Sequence, residues 1–203
     1  MPNLFPMFLR LEGRRCVLVG AGKVAAQKLD ALLAGGAHVH IVAPRATENI
    51  QQLVRQGDIS WSRRTFETRD LSGATLVIAA TGNSEINAHV FREARRQGVF
   101  CNAVDEPEHC DFYYPAVVRR GDLQIAISTA GHSPALAQRL RCELESQFSE
   151  TYADWLLFLG GARRRLFQRR IDPLRRKGIL HRLVTPRSYE RFVRSHTAKE
   201  FSR

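Results

Sequence analysis

The six residues Gly20-Ala-Gly22-Lys-Val-Ala25 constrain this chain more than any others, because of what stands on either side of them. Before them runs the short apolar segment Arg15-Cys-Val-Leu-Val19; after them Val24 to Ala34 has helical spacing, and Val39-His-Ile-Val-Ala43 returns to strand. G-x-G-x-x-A is a weak pattern alone, but between a strand and a helix it reads as the loop of a β-α-β unit that meets a dinucleotide. Gly20 permits the tight turn, Gly22 lets the backbone approach a pyrophosphate, and Ala25 lets helix and strand pack closely. Free N–H groups at the helix start then face the phosphates. A glycine turn without a ligand is the plainer alternative; the placement favours the cofactor.

The expected cofactor contacts are Gly20, Gly22, Lys23 and Val24 in the loop, Pro44 and Arg45 after the second strand, and Thr81 beside the nicotinamide half. An acidic residue about 20 positions on normally grips the adenosine ribose, whereas here the second strand ends in Val42-Ala-Pro-Arg45. Arg45 could instead meet a 2′-phosphate, so the residues alone leave NAD and NADP both open.

The same alternation continues: a helix is expected over Glu48–Gln56, a short strand over Ile59–Arg63, a buried strand over Leu76–Ala80, a helix over Glu85–Gln97 and a buried strand over Val99–Val104. Parallel strands need crossover connections, so short apolar runs interleaved with helices predict an α/β fold, a Rossmann-like parallel sheet covered on both faces. At residue 111 the pattern changes. Tyr114–Val118 and Leu123–Ser128 read as a hairpin around the turn Arg119-Arg-Gly-Asp122, and Ser133-Pro134 opens a helix expected to reach Ser149. The rest, including Tyr152–Arg170 and Pro186–Arg194, reads as helical. The expected organisation is a nucleotide-binding domain at 1–113, a small α+β dimerisation region at 114–150 and a basic helical C-terminal region at 151–203. The hairpin and its helix are too small to fold alone, so two chains would pool them.

Composition removes several function classes. No apolar run reaches the span of about 18 residues that a membrane helix needs, and the start Met1-Pro-Asn-Leu-Phe-Pro6 lacks the layout of a signal peptide, which predicts a soluble, cytoplasmic chain. The four cysteines, Cys16, Cys101, Cys110 and Cys142, form no close pair, which predicts reduced thiols rather than disulfides or a metal site. Net charge is +11, and residues 151–203 carry 14 Lys/Arg against 4 Asp/Glu. Such a tail suits nucleic acid, an anionic substrate or a solvated helical face. Its aromatics Phe158, Phe167, Tyr189 and Phe192 stand at helix-core spacings, which argues against nucleic acid.

Further segments carry a resemblance. Phe5-Pro-Met-Phe-Leu-Arg-Leu-Glu-Gly13, the Gly20 loop, Ala79-Ala-Thr81, Asn102-Ala-Val-Asp105-Glu-Pro107, Cys110-Asp-Phe112, Tyr114-Pro-Ala116, Arg119-Arg-Gly-Asp-Leu123 and Ile127-Ser-Thr-Ala-Gly-His-Ser-Pro134 stand in unbroken order over residues 1–150. Together they resemble the precorrin-2 dehydrogenase family, the N-terminal part of sirohaem synthases and their stand-alone relatives. The resemblance implies a homodimer that takes two electrons and two protons from the tetrapyrrole precorrin-2, passes hydride to NAD and yields sirohydrochlorin. Some relatives also insert ferrous iron, as a second substrate, in the same cleft.

The family's key acid falls on Asp105, where a carboxylate could accept or relay the proton that leaves with oxidation. A plain loop cap is the alternative role for it. Ser128, Thr129 and Ser133 form a hydroxyl-rich approach to a helix start that suits substrate carboxylates, and Arg119 and Arg120 join them as substrate contacts. The family's run is usually Ser-Thr-Gly-Gly or Ser-Ser-Gly-Gly, whereas this chain has Ala130 before Gly131. His109 and His132 lie in these loops without an assigned role. A rival reading, a dinucleotide-sensing module without turnover, accounts for the first hundred residues but gives no reason for Asp105 or for Ser128–Pro134.

Overall fold

The computed structural model describes residues 4–200, with side chains to residue 196. The chain forms two compact units that divide between Tyr114 and Pro115.

The first unit is an α/β sandwich. Its elements are β1 (Arg15–Val19), α1 (Lys23–Ala34), β2 (His38–Val42), α2 (Glu48–Gln56), β3 (Ser60–Ser62), β4 (Leu76–Ala79), α3 (Ser84–Gln97) and β5 (Phe100–Ala103). The five strands lie in the order β3-β2-β1-β4-β5, every pair parallel, which is the Rossmann arrangement expected. The near-continuous apolar character of β1 follows from its central place, because both faces of the sheet are covered. Cys16 and Leu18 enter a layer with Leu29 of α1 and Ile50 of α2, while Val17 and Val19 enter the opposite layer with Val90 and Ala94 of α3. Burial holds both strand thiols in the protonated form, with Cys16 pushed up to about 11 and Cys101 to about 12. β3 is shorter than the Ile59–Arg63 expected, since it is an edge strand paired on one side only, with His40–Val42.

The second unit carries β6 (Ala116–Arg120), β7 (Leu123–Ile127), α4 (Pro134–Gln147), α5 (Thr151–Gln168), α6 (Pro173–Leu183) and α7 (Pro186–Glu200). The hairpin is tighter than its sequence suggested. Arg120 pairs with Leu123, so Arg119 and Arg120 belong to the strand and the loop is only Gly121-Asp122. Gly121 takes φ +55°, the sign that a two-residue hairpin loop demands at its first central position. α4 stops at Gln147, two residues before the expected Ser149. The tail's aromatics pack on one another: Tyr152, Trp155 and Tyr189 lie within 5.5 Å centroid to centroid, and Phe158 meets Phe192 at 5.5 Å. No helix among the described residues is long and apolar enough to cross a membrane.

Candidate active site

Every expected contact in the first unit lies just past the C-terminal end of a parallel strand, the edge at which open α/β sheets bind ligands. Gly20 follows β1, with its N–H donated to the Val42 carbonyl at 2.9 Å and φ at +105°. A Cβ at this position would run into the Ala80 carbonyl. Gly22 is different: it is the N-cap of α1 in an extended conformation, and a Cβ there would meet nothing within 4 Å. No side chain caps α1 and no acid stands in its first turn, so its leading N–H groups face an open cradle suited to an anion. Exposed Lys23 and Val24 border the cradle, and Pro44 and Arg45 are exposed after β2. Thr47 donates its backbone N–H to the Ala21 carbonyl at 3.1 Å, while its buried Oγ1 has no hydrogen-bond partner among the described residues. An open cradle, uncapped donors and, on the neighbouring β2–α2 loop, an orphaned hydroxyl fit a dinucleotide.

Thr81 follows β4. Its hydroxyl donates to the Asn87 side-chain oxygen at 2.6 Å, and its backbone N–H reaches the same atom at 3.3 Å. Asn87 lies on α3, is 2% exposed, and donates from Nδ2 to Glu106 at 2.9 Å. Glu106 also meets His109 Nδ1 at 2.8 Å. Burial tends to raise the Glu106 pKa, but hydrogen bonds from His109, Asn87 and Ser84 outweigh it and hold the carboxyl below its ordinary range.

Asp105 follows β5 and is exposed, with φ +63°. Aspartate tolerates this left-handed region better than most residues, and the conformation turns the chain sharply at the strand end. Nothing among the described residues hydrogen-bonds the Asp105 carboxylate. It caps no helix turn, because the following 3-10 turn, Pro107–His109, begins at Glu106 without a side-chain cap. The loop that presents it is pinned back to β5: Asn102 Nδ2 donates to the Phe112 carbonyl at 2.8 Å, the Asp111 carboxylate accepts the Cys101 N–H at 3.0 Å, and the Asp111 N–H returns to the Cys101 carbonyl at 2.7 Å.

In the second unit, the loop after β7 is held by its own hydroxyls. Ser128 Oγ accepts the Ala130 N–H at 3.1 Å, Thr129 Oγ1 accepts the Ser133 N–H at 3.2 Å, and Ser133 Oγ caps α4 by accepting the Leu136 N–H at 3.2 Å. Ala130 and Gly131 both take positive φ, +50° and +83°. Arg119 is exposed, but Arg120 is engaged inside the unit, donating to the Phe148 and Glu145 carbonyls at 2.6 and 3.0 Å and pairing with Glu150. Its donors tie β6 to the end of α4, a structural role that the sequence did not reveal.

Asn87, Glu106, Asn102, Asp111 and Thr47 were not singled out from sequence. One of them had a signal: Asn87, Val90 and Ala94 share the core-facing stripe of α3, and a carboxamide on such a stripe needs buried partners.

The fold and these strand-end loops define a dinucleotide-binding protein of the Rossmann class. A family model described as "Putative NAD(P)-binding" matches residues 7–116, and a second, "Sirohaem biosynthesis protein central", matches residues 120–147. The chain belongs to this NAD(P)-binding family. It is 37% identical over 167 residues to a siroheme synthase of Photorhabdus laumondii, covering 82% of this chain and 36% of that protein. It is likewise 37% identical over 186 residues to a siroheme synthase of Nitrosospira multiformis, covering 90% of this chain and 39% of the relative. The chain thus spans well under half the length of these relatives. A solved structure, "SirC, precorrin-2 dehydrogenase", superposes with a TM-score of 0.80 at 25% identity, covering 91% of this chain and 92% of that one.

Proposed function

We propose that this chain oxidises precorrin-2 to sirohydrochlorin, with NAD as acceptor. The observation that carries the reading is the conjunction, on one sheet edge, of an open glycine cradle after β1 with an unpaired carboxylate after β5, in a fold that matches a precorrin-2 dehydrogenase along nearly its whole length. Gly20, Gly22, Lys23, Val24, Pro44, Arg45 and Thr81 would hold NAD, which supplies the hydride acceptor when bound. Asp105, free of internal partners, accepts the proton that the substrate must lose. Ser128, Thr129 and Ser133 would receive substrate carboxylates with hydroxyls beside the start of α4, and exposed Arg119 of β6 would add a cation. Arg120 supports that surface by fixing β6.

The reading includes a homodimer, with residues 1–113 as cofactor domain, 114–150 as dimerisation region and 151–203 as basic helical region. The second unit's thin interior supports this, since Val118 and Ala137 are its only buried apolar side chains among the described residues.

The experiment is anaerobic incubation with precorrin-2 and NAD, following NADH absorbance and sirohydrochlorin together, beside Asp105→Ala. Coupled formation of both, reduced about 100-fold or more in the variant, is the expected result. A folded protein that binds NAD but turns over nothing would instead be a dinucleotide sensor. Adding ferrous iron to the product reads the second activity, insertion of iron as substrate.

A further inference from the structure

We propose that Asn87 is a positioning residue: its buried carboxamide locks the Thr81 loop, which borders the cofactor, to the Glu106–His109 turn that presents Asp105. The inference rests on the reading of Asp105 and Thr81 given above.

The two loops leave neighbouring parallel strands, β4 and β5, which pair from Leu76↔Phe100 to Ala79↔Ala103. Past the strand ends the backbone link is a single bond from the Val104 N–H to the Ala79 carbonyl at 2.9 Å. Beyond it, Asn87 is the side chain that bonds both loops, and Ser84 at the start of α3 adds a further hydrogen bond to Glu106. Asn87 Oδ1 takes the Thr81 hydroxyl at 2.6 Å and the Thr81 N–H at 3.3 Å; Nδ2 gives to Glu106 Oε1 at 2.9 Å, with a longer 3.4 Å approach to the Thr81 carbonyl. Glu106 in turn takes His109 Nδ1 on its other oxygen at 2.8 Å. His109 also packs against Phe91 of the same α3, at 5.2 Å between ring centroids.

A carboxamide is the side chain that can do this, because it offers an acceptor to one loop and a donor to the other from a planar group. Leucine would satisfy the packing of α3 and leave both loops unbonded. Asp105 is the residue immediately before Glu106 and holds φ +63°, a conformation that persists only when its surroundings fix it. Glu106 supplies that constraint from one side and the Val104 N–H from the other. Asn87 therefore sets where the Asp105 carboxylate stands relative to Thr81 without touching substrate.

The test is a donor–acceptor swap. Asn87→Asp keeps both acceptor bonds to Thr81 but sets a second carboxylate against Glu106. Adding Glu106→Gln restores complementarity: its new amide donates to the new carboxylate, and its oxygen still accepts from His109 Nδ1. For Asn87→Asp we expect kcat for precorrin-2 oxidation to fall about 10- to 100-fold, with the KM for NAD little changed. Amide hydrogen exchange over residues 104–110 should also rise. The double variant should recover both kcat and exchange protection. Full activity and unchanged exchange in Asn87→Asp, or a double variant as impaired as the single one, overturns the proposal. Exchange needs no turnover: if the unmodified protein fails to oxidise precorrin-2, the substrate reading falls, while exchange across the three proteins still decides the coupling.

Discussion

At the scale of single residues, two glycines of one loop do different work, and substitution separates them. A methyl on Gly20 meets the Ala80 carbonyl and sits on a φ of +105°, so Gly20→Ala should cost upwards of about 2 kcal/mol in urea unfolding and yield little folded protein. Gly22 has ordinary backbone angles and open space before it, so Gly22→Ala should keep its unfolding midpoint while NADH affinity falls about tenfold or more, measured by fluorescence. Equal stability losses in the two variants would show that Gly22 is structural after all. Ala130 gives the opposite case, a side chain where the backbone prefers none: at φ +50° it holds a left-handed conformation in a position where the family usually has glycine. Ala130→Gly relieves that strain and loses part of the gain to chain entropy, so a net stabilisation of about 0.5–1 kcal/mol is expected in chemical denaturation. The fingerprint glycines were legible because glycine is diagnostic wherever a strand meets a helix. The bonds that pin Asn102, Asp111 and Asn87 were not, since each partner comes from a segment whose approach only the folded sheet decides.

At the scale of elements, the alternation of apolar runs with helical spacing gave every strand of the parallel sheet, because burial on both faces leaves little room for polar residues. What it missed were the polar devices that join elements. The crossing from β3 to β4 is an example: Asp70, 5% exposed, takes both nitrogens of Arg64 at 2.8 and 2.5 Å and the Glu67 N–H at 2.8 Å, while Arg15 of β1 donates to the Asp70 carbonyl at 2.8 Å. Burial works to raise the Asp70 pKa, but the Arg64 and Glu67 hydrogen bonds prevail, leaving the carboxyl below its ordinary range. A depressed pKa stabilises the fold fully above the unfolded value, near ~3.9, and that contribution drains away as pH falls through the lower folded value. Asp70→Asn should therefore cost about 1.5–3 kcal/mol at neutral pH, with the gap between variant and parent narrowing as urea melts are repeated at increasingly acid pH. A gap that stays constant to strong acid would assign the loss to packing instead of charge.

At the scale of the whole molecule, the two units are unequally provisioned. Residues up to 114 close two apolar layers around a sheet, whereas the described part of the second unit buries only Val118 and Ala137 among its apolar side chains. It exposes Leu157 at 62%, Phe167 at 48%, Leu174 at 82% and Val184 at 52%, and its Trp155 Nε1 is buried without a partner. A lone two-stranded hairpin is marginal in water, and four helices around so small an interior gain little from burial. The +10 carried by residues 151–203 adds self-repulsion. Association with a second copy, as proposed above, would be an economical remedy if it covered these exposed apolar side chains. If folding of this unit is completed by association, stability must depend on concentration. Light scattering should then give twice the chain mass at micromolar concentration, and the urea midpoint should rise with protein concentration. The rise should steepen at higher salt, which screens the basic tails. A single-chain mass with a midpoint indifferent to concentration would mean that the second unit stands on its thin core alone.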